Sequence, residues 1–96
     1  MSNHSAQHVV YIDVRIRTLK EYEHVKTVAQ DFGYSCIGAA DNPDYINQFL
    51  IERKHVVLEF VHQRVYVRSY LNTRGYVTTL DNLVIDLLLL GELQLS

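Results

Sequence analysis

The sequence predicts an α+β fold: a small, mainly antiparallel three- to four-stranded sheet with helices packed on one face, in the order β-α-(β)-(α)-β-β-α. Three observations predict it. Residues Val9 to Arg17 alternate strictly between apolar and polar, the pattern of a strand with one face buried. His55 to Val61 and Arg64 to Leu71 alternate in the same way on either side of His62-Gln63, which reads as a hairpin. Leu19 to Phe32 and Leu80 to Leu90 instead repeat apolar residues at helical spacing. Because each strand is apolar on one side only, the helices belong on that side.

Met1 to Gln7 are polar and aperiodic, so a flexible tail (1–7) is expected ahead of a single domain spanning 8–96. In the first strand Val10, Ile12, Val14 and Ile16 point one way, and Tyr11, Asp13, Arg15 and Arg17 the other. Thr18 with Glu21 forms a capping box, in which each side chain satisfies a backbone donor left over at a helix start. Leu19, Tyr22, Val25, Ala29 and Phe32 then form the inward stripe, with Val28 beside them, and Gly33 supplies a left-handed stop. Tyr34 to Gly38 suits a short strand.

Asn42 can cap a second helix beginning at Pro43, with Ile46, Phe49 and Leu50 inward. Gln48 to Ile51 also suits a strand, so residues 43–53 stay open between the two. In the hairpin, pairing Val61 with Arg64 sets Val56, Leu58 and Phe60 against Val65, Val67 and Ser69 on the core side. Asn72 to Gly75 is turn chemistry, and Thr78 or Thr79 caps the last helix, with Asp81 at its positive end. Gly91 is expected to end that helix, and Glu92 to Leu95 to form a short terminal strand.

The composition, 48% hydrophobic and 21% charged over 96 residues, is that of a folded globular chain. At this size only ~60–65% of the unfolded surface is buried, so further burial by association is an obvious source of stability. A formal net charge of −2 gives no long-range attraction to nucleic acid or anionic membrane. The lone Cys36 excludes an intramolecular disulfide and, with no signal-like start, points to a cytoplasmic setting. Leu87 to Leu90 is far shorter than the ~20 apolar residues needed to span a bilayer, so no membrane role is expected.

The last helix argues for a partner. Between Leu83 and Leu90 only Asp86 is not a large aliphatic, whereas a surface helix of a small monomer needs an apolar stripe of roughly 100°. Leu80, Leu83, Val84, Leu87 and Leu88 are assigned to the core. Ile85 and Leu89 remain outside, flanking Asp86, and mark a homodimer interface around a two-fold axis.

The side of the sheet away from the core carries the other candidate surface. Tyr11, Arg15, Arg17, Arg64, Tyr66, Arg68 and Tyr70 fall there, interleaved with Asp13, His55, Val57, Glu59 and Val61. Arginine pairs bidentately with carboxylate or phosphate and tyrosine offers a flat face, so such a surface suits an acidic protein or another anionic partner. Single-stranded nucleic acid is the lesser reading, because the aromatic and glycine pattern of RNA-binding sheets is missing. Equally, Glu59 beside Arg64 and Arg68 is what an ordinary exposed sheet uses to stabilise itself.

No cofactor motif and no catalytic constellation is present: there is no phosphate-cradling glycine loop, no nucleophile elbow and no cysteine pair. His55, Glu59 and His62 have a loose metal-ligand spacing that a strand does not bring together. Ser2-Asn3-His4, if the initiator Met is removed, would place a free amine, two backbone amides and an imidazole within reach of Cu(II) or Ni(II), an arrangement incidental in most chains with a His there, so no metal site is expected. Pro43-Asp44 with Glu52-Arg53-Lys54 resembles the PD-(D/E)xK nuclease signature over five residues, and requires Asp44 and Glu52 on adjacent strands. A small non-enzymatic binding module is therefore the expectation, and a small ligand-binding domain or enzyme the alternative.

Overall fold

A computed structural model describes residues 11–68 and 76–95. The predicted tail, Ser2-Asn3-His4, Val10, Ser69, Tyr70 and the Asn72 to Gly75 turn lie outside the described residues. The elements are β1 (Ile12–Ile16), α1 (Leu19–Asp31), β2 (Ser35–Cys36), a 3-10 turn (Gly38–Asp41), α2 (Pro43–Arg53), β3 (Val56–Val61), β4 (Arg64–Arg68), β5 (Tyr76–Thr78) and α3 (Leu80–Leu95). No helix among the described residues is long and apolar enough to cross a membrane.

The α+β class holds, but among the described residues the sheet is five-stranded and mixed, in the order β2-β4-β3-β1-β5. Among these described strands β3 alone runs against both its neighbours. β1 and β4 are antiparallel to it, while the outer pairs β1·β5 and β2·β4 are parallel. The expected strand within Tyr34 to Gly38 forms as β2, and the three- to four-stranded, mainly antiparallel sheet is corrected by β5 and by the parallel pairing of both edge strands. A parallel edge pairing joins segments distant in sequence and leaves no local signature of the kind a hairpin does.

The hairpin register is the predicted one, with Val61 opposite Arg64 and Phe60 opposite Val65. Its turn residues both adopt left-handed backbone, His62 at φ 53 and Gln63 at φ 63. Two consecutive positive φ values make a two-residue turn whose twist matches that of the strands.

Thr18 caps α1 by accepting from the Glu21 amide at 3.1 Å, and Glu21 Oε1 in turn accepts from the Arg17 amide at 2.6 Å. The reciprocal bond thus reaches one residue further back than a capping box usually does. Gly33, at φ 79, turns the chain away after α1. For residues 43–53 the choice falls to helix: Asn42 Oδ1 accepts from the amides of Asp44 and Tyr45 at 3.1 and 3.3 Å. Pro43, preset in φ and lacking a donor, opens α2 at no hydrogen-bond cost.

All three helices pack on one face of the sheet. Ile12, Val14, Ile16, Val56, Leu58, Phe60 and Val65 meet Tyr22, Val25, Ala29, Ile46, Leu50, Leu83, Leu87 and Leu90 in a single cluster. Tyr22 is wholly buried there, and its hydroxyl donates to the Ala40 carbonyl at 2.7 Å, fastening α1 to the 3-10 turn.

Thr79 caps α3, accepting from the Asn82 amide at 3.3 Å. The helix continues through Gly91 to Leu95, so the expected stop at Gly91 and the terminal strand Glu92 to Leu95 are both corrected. A glycine inside a helix costs only about 1 kcal/mol, too little to end one without a competing pairing.

Candidate binding surfaces

The strand register arranges the sheet's outer face into rows. Arg15, Val57 and Arg68 form one row across β1, β3 and β4, and Asp13, Glu59 and Tyr66 form the next. Val61 and Arg64 stand in the third. The middle of this face is not open. Asp13 is 1% exposed, Glu59 0% and Val57 2%, and Val61 is buried too. The expectation that these four belong to an exposed surface is corrected. What remains at the surface is a perimeter: Arg15, Arg17 and Arg64 are exposed, while Tyr11, Tyr66 and Arg68 are half-buried.

Electrostatics explains the arrangement. Asp13 and Glu59 stand directly opposite each other on antiparallel strands, a placement that like charges disfavour unless cations compensate. Arg68 supplies one, its Nε 3.4 Å from Glu59 Oε1. Arg15, Arg17 and Arg64 form no ion pair with another described residue. The expected Glu59–Arg68 neighbour pair therefore forms, and Arg64 stays out of it.

On α3 the facing differs in part from expectation. Leu83, Leu87 and Leu90 are buried and Leu80 is half-buried, but Val84 and Leu88, assigned to the core, point outward. They join Ile85 and Leu89 in a stripe whose members are 37%, 55%, 55% and 53% exposed (Val84, Ile85, Leu88, Leu89). Asp86, expected outside between Ile85 and Leu89, is half-buried and accepts a hydrogen bond from the Thr78 hydroxyl of β5. Relative to the sequence-based facing, α3 is turned so that Leu90 takes a core position while Val84 and Leu88 do not, with Asp86 facing Thr78.

A third feature had no sequence signal. Where α2 hands over to β3, a concavity of about 220 Å³ is lined by Phe49, Arg53, His55, Val57, Val67 and Arg68. Arg53 lies over the Phe49 ring with its guanidinium carbon 5.8 Å from the centroid, and Tyr45 packs edge-on to the same ring at 5.1 Å. These residues come from α2, β3 and β4, so only the packing of α2 against the strand ends brings them together.

The remaining motifs separate in space. Asp44 and Glu52 lie at opposite ends of α2, about 12 Å apart along its axis at 1.5 Å per residue, so the adjacent-strand geometry of the nuclease signature is not formed. His55 and His62 stand at opposite ends of β3. Among the described residues no three of His, Cys, Asp and Glu gather closely enough to hold a metal ion. Cys36 is half-buried on β2 against the core, and burial pushes its thiol pKa up, away from the thiolate that nucleophilic chemistry needs. No protein-family model, no curated protein and no solved structure matches this chain.

Proposed function

We propose that this chain is a small non-enzymatic binding module that pairs with a second copy through α3 and offers the arginine perimeter of its sheet to an acidic protein surface. The observation that carries the reading is the exposure of Arg15, Arg17 and Arg64 without an ion pair to any described residue. Arg15 and Arg64 are separated by two strands and two rows of the register, about 10 Å by about 13 Å. Cations spread so widely over a nearly flat sheet suit a macromolecular surface better than a small ligand. An acidic protein is favoured over single-stranded nucleic acid because Tyr11 and Tyr66 are half-buried and offer little stacking surface.

For self-association the support is the α3 stripe. Withdrawing four half-exposed aliphatic side chains from water contributes about 4 kcal/mol per copy, against association costs of roughly 4–15 kcal/mol. A dimer held by α3 alone is therefore weak, and adjoining surface has to contribute.

Two measurements test the proposal. Light scattering over a concentration series should give a dimer mass that Leu88→Arg with Leu89→Arg reduces to that of one chain. A monomeric mass throughout removes the dimer. A fluorescent Asp/Glu-rich peptide should bind with strong salt dependence, and Arg15→Glu with Arg64→Glu should abolish that binding. An unchanged affinity in that variant removes the arginine reading.

A further inference from the structure

We propose that the concavity between α2 and the ends of β3 and β4 is a binding site for a monocarboxylate carried on a small apolar body. Its walls are apolar: the Phe49 ring, Val57 and Val67. Its polar groups converge from three elements, Arg53 from the end of α2, His55 from the approach to β3 and Arg68 from the end of β4. An apolar recess with a few convergent polar groups is the ordinary form of a ligand site.

Charge sets the class of ligand. Arg68 is committed to buried Glu59 at 3.4 Å, so its positive charge is largely spent within the sheet. Arg53 is exposed, lies over Phe49 with its guanidinium carbon 5.8 Å from the ring centroid, and makes no ion pair with a described residue, so its N–H donors can meet an oxygen pair. The nearest carboxylate on the same helix, Glu52, accepts from Gln48 Nε2 at 3.3 Å on the neighbouring stripe of α2 and does not neutralise Arg53. The recess thus has about one unmatched positive charge, which fits a carboxylate better than a doubly charged phosphate.

Volume limits the body of the ligand. At about 220 Å³ the recess is smaller than the ~300–1,000 Å³ common for whole-ligand pockets. It holds a branched-alkyl or single-ring group, such as a free short-chain acid or the last residue of a polypeptide with its terminal carboxylate. Val57 and Arg68 also belong to the outer face and share a row with Arg15, but Arg53 and Phe49 lie on α2 and Arg64 stands at the other end of β4, so variants at Arg53 and Arg64 separate this site from the proposed acidic-surface contact.

The test is a titration of the isotope-labelled full chain followed by NMR, with three probes: 3-methylbutanoate, its neutral amide, and a short peptide ending in leucine with a free carboxylate. Saturable shifts centred on Phe49, Arg53, His55, Val57 and Val67 are expected with the acid and not with the amide. Arg53→Met should weaken acid binding at least tenfold with the rest of the spectrum unchanged, and Arg53→Lys should fall between. Tighter binding of the peptide than of the free acid identifies a chain terminus as the natural ligand, and the reverse identifies a free metabolite. Absence of shifts with acid and peptide alike, equal shifts with acid and amide, or an unchanged affinity in Arg53→Met overturns the proposal. Arg64→Glu, at the far end of β4, should leave all three titrations as they are.

Discussion

Arg68 reaches diagonally across the β3–β4 hairpin to Glu59, placing Nε 3.4 Å from Oε1, with the glutamate side chain 1% exposed and the arginine 29%. A carboxylate removed from water this completely costs several kcal/mol unless a cation and hydrogen bonds offset it. The outer face of the sheet is therefore organised around a buried charge, where a solvent-facing polar surface was expected.

Removing one partner of this pair should hurt more than removing both. Arg68→Met is expected to lower stability by about 2–3 kcal/mol, whereas Glu59→Leu with Arg68→Met should lie within about 1 kcal/mol of the parent chain. Urea unfolding of the parent, both single variants and the double variant measures the coupling. Additive losses would show that the two side chains do not stabilise each other.

The β3–β4 turn carries a local cost that can be removed. His62 and Gln63 both hold positive φ, at 53 and 63, where residues with a Cβ pay roughly 1–2 kcal/mol each. Asn-Gly is the pair best adapted to such a turn. Replacing His62 by Asn and Gln63 by Gly should raise stability by about 1 kcal/mol. A higher midpoint in thermal or urea unfolding checks it, and a lower one would mean that the turn side chains make contacts worth more than the strain.

Tyr22 provides a pH dependence with a definite sign. Burial pushes its phenol pKa up from the ordinary 10.0, opposed by the Lys26 ammonium beside it. The folded chain therefore holds this proton more tightly than the unfolded chain. The stability associated with Tyr22 is complete below the unfolded value and is lost as pH rises through the raised folded one. Tyr22→Phe should cost about 1–2 kcal/mol at neutral pH, since the Ala40 carbonyl loses its donor. The same variant should show a shallower decline in unfolding free energy above about pH 10. An equally steep alkaline decline would assign the effect to other groups, among them Tyr34, which burial also raises.

Much of this architecture was legible because its signals are local. Alternation placed β1 and the hairpin, Thr18 and Asn42 placed the starts of α1 and α2, and the apolar pattern of each strand put every helix on one face. The arginines that reach solvent were legible for the same reason, since strand periodicity alone assigns Arg15, Arg17 and Arg64 a side.

What the chain's own order of residues determined, then, was the set of elements whose evidence lies within a few residues, and which side of each strand is apolar. The tertiary structure alone decided the rest: that Tyr76–Thr78 adds as a parallel edge strand, that Asp86 meets Thr78 while Val84 and Leu88 face outward, that Asp13 and Glu59 are buried together, and that Phe49, Arg53 and Arg68 line one recess. The physical reason is that long-range pairing stands behind all four. Three depend directly on contacts between segments far apart in the chain, and the Thr78–Asp86 contact, spanning only eight residues, depends on Thr78 being placed by its pairing with distant Val14; neither hydrophobic period nor capping chemistry encodes which distant surface a given face will meet.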